Sequence, residues 1–117
     1  MAQAEEVEGV YVLAKEIEAD SAETLRDIGH SVREQMPSGI AWLASTMDEK
    51  STLLCVVSDD LIERGIKAGD MVNEVAKLAD GQGGGKPNMA QAGIKSPEKL
   101  PNALAATSEI VRKKLAN

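Results

Sequence analysis

The sequence predicts an α/β fold of the mixed α+β kind, a single domain in which a mixed sheet of four to five strands packs against three helices. Short segments rich in β-branched residues alternate with longer segments whose apolar residues recur every three or four positions. The chain of 117 residues is long enough for one hydrophobic core, and 43% hydrophobic against 27% charged residues is typical of a globular domain. The elements are predicted in the order β-α-β-β-α-β-α.

The first strand and the first helix are predicted in the first third of the chain. Residues 9–17, GVYVLAKEI, are short and β-branched and therefore predict a strand. Asp20 and Ser21 are suitable N-cap residues for a helix that Pro37 must end. The apolar residues at helical spacing are Leu25, Ile28, Val32 and Met36. A helix that connects two strands implies that the strands run parallel.

Two further strands are predicted from GIAWLAST, which begins at Gly39, and STLLCVVS, which begins at Ser51. The short polar segment MDEK joins them, so the pair is expected to be an antiparallel hairpin. Trp42 and Tyr11, the chain's two aromatic residues, lie in predicted strands and are expected to pack there. The single cysteine, Cys55, is expected to be buried, and its lack of a disulfide partner within the chain fits a reducing, cytoplasmic location.

The second half of the chain predicts helix, strand and helix. Residues 59–80 are expected to hold a short irregular piece and then a helix from about Ala68, which Gly81 ends. The apolar stripe of this helix is Met71, Val75, Leu78 and Ala79. A short strand is expected at residues 89–92 and a final helix over residues 96–115.

Residues 1–8 are interpreted as an N-terminal extension and residues 9–117 as the domain. The first residues, MAQAEEVEG, are acidic and lack the apolar segment of a signal peptide. The apolar runs are also too short to cross a bilayer. We therefore expect a cytoplasmic protein with no membrane partner.

The charge is distributed unevenly along the chain. Residues 1–60 contain thirteen acids and four bases, a balance of −9, whereas residues 61–117 contain six acids and nine bases, a balance of +3. The formal net charge of −6 therefore conceals a basic second half. One side of the domain is expected to suit an anionic partner, although segregation by chance on solvated faces gives the same pattern.

A glycine-rich segment, DGQGGGKPNMAQAG, runs from Asp80 to Gly93. It is not a Walker A loop, because five residues before Gly85 stands an aspartate and Pro87 replaces the magnesium-binding hydroxyl. A dinucleotide-binding turn is also excluded, because its third glycine would fall on Lys86. Such a segment can approach another surface closely, either as an anion-binding nest of glycine N–H groups or as a structural turn packed on a neighbouring helix.

This segment resembles the hallmark of the DHH-associated domain found at the C-terminus of alanyl-tRNA synthetase. Gly83–Lys86 match the family's Gly-Gly-Gly-(Arg/Lys), and Ala90–Gly93 match the Ala-Gln-Ala-Gly that follows it. Ile94 departs from the pattern, since a second glycine is usual there. The similarity is strong over residues 51–115 and looser before residue 51.

The resemblance implies a domain that binds the elbow of tRNA(Ala), where the D- and T-loops meet, and so aids aminoacylation and editing. The parent protein would be an alanine-tRNA ligase, using ATP, Mg and a zinc site in its other domains. This domain alone would have no catalytic residues, no cofactor and no metal site. The candidate RNA-binding residues are Gly83, Gly84, Gly85, Lys86, Asn88, Gln91, Lys95, Lys67 and Lys99.

Three other functions are alternatives to RNA binding. A DHH phosphoesterase is excluded, because the chain lacks an Asp-His-His motif and its only histidine, His30, has no second metal ligand at a suitable spacing. A dimerisation or protein–protein interaction module stays open, as does a domain that binds a small nucleotide phosphate. DNA is not expected as a partner.

Overall fold

The computed structural model describes residues 5–7, 9–19, 21–36, 38–47 and 50–115. Within these ranges the chain forms one six-stranded sheet with the strand order β1-β2-β3-β4-β6-β5. The strands are β1 (Glu5–Val7), β2 (Val10–Glu16), β3 (Gly39–Met47), β4 (Lys50–Val57), β5 (Gln82–Gly85) and β6 (Met89–Ile94). The helices are α1 (Ala22–Gln35), α2 (Asp59–Glu63), α3 (Ala68–Ala76), α4 (Leu100–Ala105) and α5 (Thr107–Leu115), with 3-10 turns at Lys77–Ala79 and Pro97–Lys99.

The mixed α+β fold and the predicted strand pairings are confirmed. β2 and β3, which precede and follow α1 in the sequence, pair parallel to each other. β3 and β4 form an antiparallel hairpin. The predicted count of four to five strands is too low, because β1 and β5 were not predicted. Both are strands at the edges of the sheet.

β1 lies within the segment interpreted as an N-terminal extension. Its residues pair antiparallel with β2, Glu5 opposite Val12 and Val7 opposite Val10. Val7 is buried in the core. A strand of three residues, two of them glutamate, has too little apolar alternation to be recognised in the sequence. The division into 1–8 and 9–117 stays a prediction about domain organisation.

β5 is formed by the glycine run itself. Gly83 lies opposite Ala92, and Gly84 lies opposite Gln91, in an antiparallel pair with β6. Glycine is normally disfavoured in strands, so the sequence predicted a loop here. The approach of the two strands explains the choice of residue: a Cβ atom built on Gly83 would lie 2.3 Å from the carbonyl oxygen of Gln91.

The core has two layers, one on each face of the sheet. On one face α1 covers a cluster that includes Leu25, Leu43 and Leu54. On the other face α3, α4 and α5 cover the larger cluster, which includes Trp42 and Cys55. The prediction that these last two residues pack inside is confirmed, since both are fully buried. Tyr11 differs from expectation: it is 36% exposed on β2.

The helices are more numerous and more broken than the predicted three. The irregular piece after β4 forms the single-turn helix α2, which Gly65 follows at φ +90°. The final helix is interrupted at Ala106 and continues as α5. At this break the hydroxyl of Thr107 donates to the carbonyl of Leu104 at 2.7 Å, a local side-chain bond of the kind that competes with regular helix.

α3 ends at Ala76 and continues as a 3-10 turn, which is capped one residue before the predicted stop. Asp80, not Gly81, adopts the left-handed conformation, with φ 57° and ψ 39°. Aspartate tolerates this region better than most residues, and Ser96 and Lys99 donate hydrogen bonds to its carboxylate at 2.7 and 2.9 Å. Gly81 is needed for a different reason, because a Cβ there would lie 2.3 Å from the carbonyl oxygen of Gly93.

Candidate nucleic-acid interface

A groove of about 390 Å³ lies between the β5–β6 hairpin and the outer part of α1. Three of its lining side chains are basic or can become cationic, and none is acidic. The lining residues are Arg26, His30, Leu54, Gly84, Gly85, Lys86, Asn88, Met89, Ala90 and Gln91. A phosphate-bearing ligand would therefore meet positive charge and hydrogen-bond donors here, with no carboxylate among the lining residues to repel it.

Backbone hydrogen bonds hold the tip of the β5–β6 hairpin in place. The N–H of Ala68, the first residue of α3, donates to the carbonyl of Pro87 at 2.8 Å. The N–H of Val57 donates to the carbonyl of Asn88 at 3.1 Å. Lys86 closes the turn by donating its own N–H to Met89 at 3.0 Å, while its side chain is exposed. The ammonium group is thus presented from an anchored turn.

The glycines of β5 do not form the expected anion nest. A nest requires successive residues with alternating helical and left-handed conformations, but Gly85 alone in this run has a positive φ, 155°. The N–H of Gly83 donates to the side-chain oxygen of Asn73 on α3 at 3.4 Å, so it is not directed at a ligand. Of the two possibilities for the glycine run, the nest does not fit the structure, because the run pairs as a strand.

The three glycines divide into two groups by what surrounds them. Cβ atoms on Gly83 or Gly85 would lie within 3.0 Å of backbone atoms of β6. A Cβ on Gly84 would meet no atom of the described residues within 4 Å. Gly83 and Gly85 are therefore required for packing, whereas Gly84 opens onto the groove.

Two residues of the groove, Arg26 and His30, were not predicted as site residues. They lie one turn apart on α1, and the Nη1 atom of Arg26 donates to the Oε1 atom of Gln91 at 3.2 Å. Gly29 lies between them and allows the close approach of α1, since a Cβ there would lie 2.4 Å from the Cδ2 atom of Leu54. A basic pair at i and i+4 was the available sequence signal, but nothing in the sequence placed α1 beside the glycine run.

The predicted lysines do not gather at one place. Lys67 precedes Ala68, whose N–H binds the carbonyl of Pro87, so Lys67 lies near the hairpin tip and Lys86. Lys95 and Lys99 follow β6 at the opposite end of the hairpin. A six-residue strand separates the two ends by about 17–20 Å.

The positive charge at that opposite end is partly neutralised. Lys99 forms an ion pair with Asp80 at 2.9 Å. Hydrogen bonds from Ser96 and Lys99, together with the charge of Lys99, lower the pKa of the Asp80 carboxyl. The same contact raises the pKa of Lys99. This end of the hairpin is therefore less suited to attract a phosphate than the tip.

Two other depressions of the described surface contain carboxylates. A wide one of about 820 Å³ is lined by Glu16 and Glu18 at the end of β2. Another, of about 460 Å³, contains Asp59 and Asp60 beside Arg33. Both are larger than the hairpin groove, but their acidic side chains make them less favourable for a polyanion.

The described residues hold no cluster of three or more histidine, cysteine or carboxylate side chains that could bind a metal ion. Of the helices in the described ranges, none is long and apolar enough to cross a bilayer.

Comparison with protein families decides the classification. The model of the DHHA1 domain matches residues 8–113. The chain belongs to the DHHA1 domain family. The resemblance seen in the glycine-rich segment is thereby confirmed, and the match extends to nearly the whole chain.

Curated relatives of this DHHA1 domain are alanine–tRNA ligases. The ligase of Natranaerobius thermophilus is 37% identical over 117 residues, which is 100% of this chain and 13% of the relative. That of Exiguobacterium sibiricum is 43% identical over 108 residues, 92% of this chain and 12% of the relative. The DHHA1 domain thus spans about an eighth of the length of these relatives.

Solved structures agree with the classification. The C-Ala domain of alanyl-tRNA synthetase from Aquifex aeolicus superposes with a TM-score of 0.83 at 28% identity, over 93% of this chain and 97% of that one. A DHH-domain member of the s1p family of ribosomal proteins superposes with a TM-score of 0.65 at 17% identity, over 96% of this chain and 28% of that one. The second likeness shows a shared fold only. The DHHA1 domain described here is of the C-Ala type.

Proposed function

We propose that this domain is the tRNA-binding C-terminal part of an alanine–tRNA ligase, and that it docks the elbow of tRNA(Ala) to aid aminoacylation and editing. The similarity to the C-Ala domain over 97% of that domain's length supports the assignment. The remaining domains of the ligase would be its other partners in the cytoplasm. ATP, Mg and zinc would be bound by those other domains.

The observation that carries the proposal is the basic groove at the tip of the β5–β6 hairpin. Lys86 is exposed on an anchored turn, and Arg26 and His30 face it from α1. Lysine and arginine contacts to phosphates position a folded RNA, and the elbow is a shape that backbone contacts can recognise. Of the three depressions described above, this groove is the one without a carboxylate in its lining, and it is therefore the most favourable of the three for RNA.

Affinity of the isolated domain is expected to be modest. The formal net charge is −6, so the domain as a whole repels a polyanion at long range. Few phosphates can be neutralised by the groove, and each one contributes roughly one unit or less to the slope of log affinity against log salt. We expect binding that is detectable at low salt and lost as salt rises.

A salt titration with folded tRNA(Ala) tests the position of the interface. Lys86→Ala removes the charge at the hairpin tip, and Lys113→Ala removes one exposed charge from α5, on the opposite face of the sheet. We expect Lys86→Ala to weaken binding and to reduce the salt slope by roughly one. Lys113→Ala should bind as the wild type does.

Three results would contradict the proposal. Equal losses in both variants would indicate nonspecific attraction to any lysine. No binding by the wild type even at low salt would remove the RNA-binding function and leave self-association as the alternative. If a bound mononucleotide is displaced by other mononucleotides but not by folded tRNA, the groove is a nucleotide site. A groove of about 390 Å³ is large enough for such a ligand.

A further inference from the structure

The open face of the β5–β6 hairpin, here called the floor, lacks side-chain bulk at two of its four positions. Gly84 lies opposite Gln91, and Gln82 lies opposite Gly93, so two glycines and two glutamines form a two-by-two pattern. Cβ atoms on Gly84 or Gly93 would meet no atom of the described residues within 4 Å. The neighbouring glycines of the same run are packed against backbone, so this openness is particular to one face.

The floor has the dimensions of a nucleobase. Paired residues on adjacent strands are about 5 Å apart, and every second residue along a strand is about 7 Å apart. Without side chains, a planar ring can lie on the peptide groups at van der Waals distance, about 3.5 Å. A strand carrying ordinary side chains would hold the ring farther from the sheet.

The edge of this floor carries hydrogen-bond donors. Arg26 donates from Nη1 to the Oε1 atom of Gln91, at 3.2 Å. This contact turns the oxygen of the Gln91 amide towards Arg26, uses one of its two lone pairs and leaves the NH₂ group to donate elsewhere. The remaining guanidinium N–H groups of Arg26 are further donors. The pair thus presents several donors side by side at the edge of the floor.

We infer that the groove binds an unstacked guanine base, which lies flat on Gly84 while its O6 and N7 atoms accept hydrogen bonds from Arg26 and Gln91. Guanine presents two adjacent acceptors on that edge, whereas adenine replaces one of them by an amino donor. The inference rests on the proposed function, since the base would belong to the bound tRNA. In this arrangement Arg26 both contacts the base and orients Gln91.

The chain's tryptophan and tyrosine take no part in this contact. Single-stranded bases are commonly held by stacking on aromatic side chains. The two aromatic residues of the chain are elsewhere: Trp42 is fully buried, and Tyr11 lies on β2, separated from β5 by three strands. The glycine floor provides a flat surface of another kind.

Two variants without a charge change test the inference by titration with folded tRNA(Ala). Gly84→Val places a branched side chain where the base would lie. Gln91→Met removes the amide donor while keeping the side-chain length. Ala14→Val is the control, because it adds a branched side chain to an exposed position of β2. We expect each groove variant to bind at least about five-fold more weakly, with an unchanged salt slope, and the control to bind as the wild type does.

The same titration separates the inference from the proposed function. If Lys86→Ala weakens binding but Gly84→Val and Gln91→Met do not, the base site is wrong and the RNA-binding function stands. If the wild type does not bind tRNA at low salt, both are wrong. Thermal unfolding checks that each variant is folded. If Gly84→Val is not folded, Gly93→Ala replaces it, because this variant adds only a methyl group to the same floor.

Guanine preference is tested by NMR titration of the wild type with GMP and with AMP. A base stacked on the floor should shift the Gly84 resonances through its ring current, and the Gln91 side-chain amide should shift with them. We expect larger shifts with GMP than with AMP at equal concentration. Equal shifts would overturn the choice of guanine, and unshifted Gly84 resonances with both nucleotides would overturn the base site.

Discussion

Gly83 and Gly84 are adjacent in β5 but have different reasons to be glycine. A Cβ on Gly83 would lie 2.3 Å from the Gln91 carbonyl oxygen and 2.5 Å from the Cα atom of Ala92. The described surroundings of Gly84 leave space for a Cβ. The sequence identified both residues as unusual, but it could not tell packing from exposure, because that distinction depends on the partner strand and on α3.

Alanine at the two positions should therefore have opposite effects on stability. Gly83→Ala should lower the free energy of unfolding by about 2 kcal/mol or more, since backbone atoms must move. Gly84→Ala should leave it unchanged or raise it by about 0.5 kcal/mol, because alanine has less conformational entropy to lose. The fluorescence of the fully buried Trp42 reports thermal unfolding of both variants. Equal destabilisation would contradict the assignment of Gly84 to an open face.

Asp60 links the start of α2 to the start of β3. Its carboxylate accepts hydrogen bonds from Ser38 at 2.5 Å and from Ser58 at 2.6 Å. These two bonds lower the pKa of the Asp60 carboxyl below its ordinary value of 3.8, and the bond from Ser38 has the larger effect. The stabilisation is therefore complete above the unfolded-state pKa and is lost as the pH falls through the lower folded-state pKa.

Removing this carboxylate should change the acid side of the stability profile. Asp60→Asn should be less stable than the wild type near neutral pH, and the difference should shrink as the pH is lowered below 3.8, where the wild type also loses its carboxylate. Chemical denaturation at a series of pH values measures it. Ser38→Ala in the Asp60→Asn background should have a smaller effect than in the wild type. If the difference in the free energy of unfolding between the two proteins does not change with pH, the ionised carboxylate of Asp60 does not stabilise the fold.

At the scale of elements, α1 was predicted accurately and its functional face was not. Its capping residue, its apolar stripe and its end before Pro37 are all visible in the sequence, and the structure places the helix at Ala22–Gln35. The position of its outer face beside the β5–β6 hairpin depends on the strand order, which places β6 next to β4. Local sequence patterns carry no information about that long-range pairing, so Arg26 and His30 could not be assigned to the groove.

The N-cap of α1 offers a test of local stability that leaves the groove intact. Ser21 Oγ accepts a hydrogen bond from the Thr24 N–H at 3.1 Å. Ser21→Ala should lower the free energy of unfolding by about 1 kcal/mol. Ser31→Ala, at an exposed position within the helix, should leave it unchanged or raise it slightly because alanine favours helices. Thermal unfolding measures both, and similar losses in the two variants would contradict a specific capping role.

At the scale of the whole molecule, the uneven charge of the sequence becomes a difference between surfaces. The acidic first half supplies the depression with Glu16 and Glu18, and the basic second half supplies the hairpin tip with Lys86. The halves are not separate in space, however, since Arg26 from the first half completes the basic groove. Composition therefore predicted that a basic surface exists, whereas its location required the fold.

Elbow docking is tested most directly on the RNA. Binding of the domain to folded tRNA(Ala) should be compared at low salt with binding to a minihelix that retains the acceptor stem and T-loop but lacks the D-loop. We expect the minihelix to bind at least about ten-fold more weakly, because the surface formed by the two loops is missing. Equal affinity for the two RNAs would contradict docking at the elbow and would place the contact on the acceptor arm or its backbone.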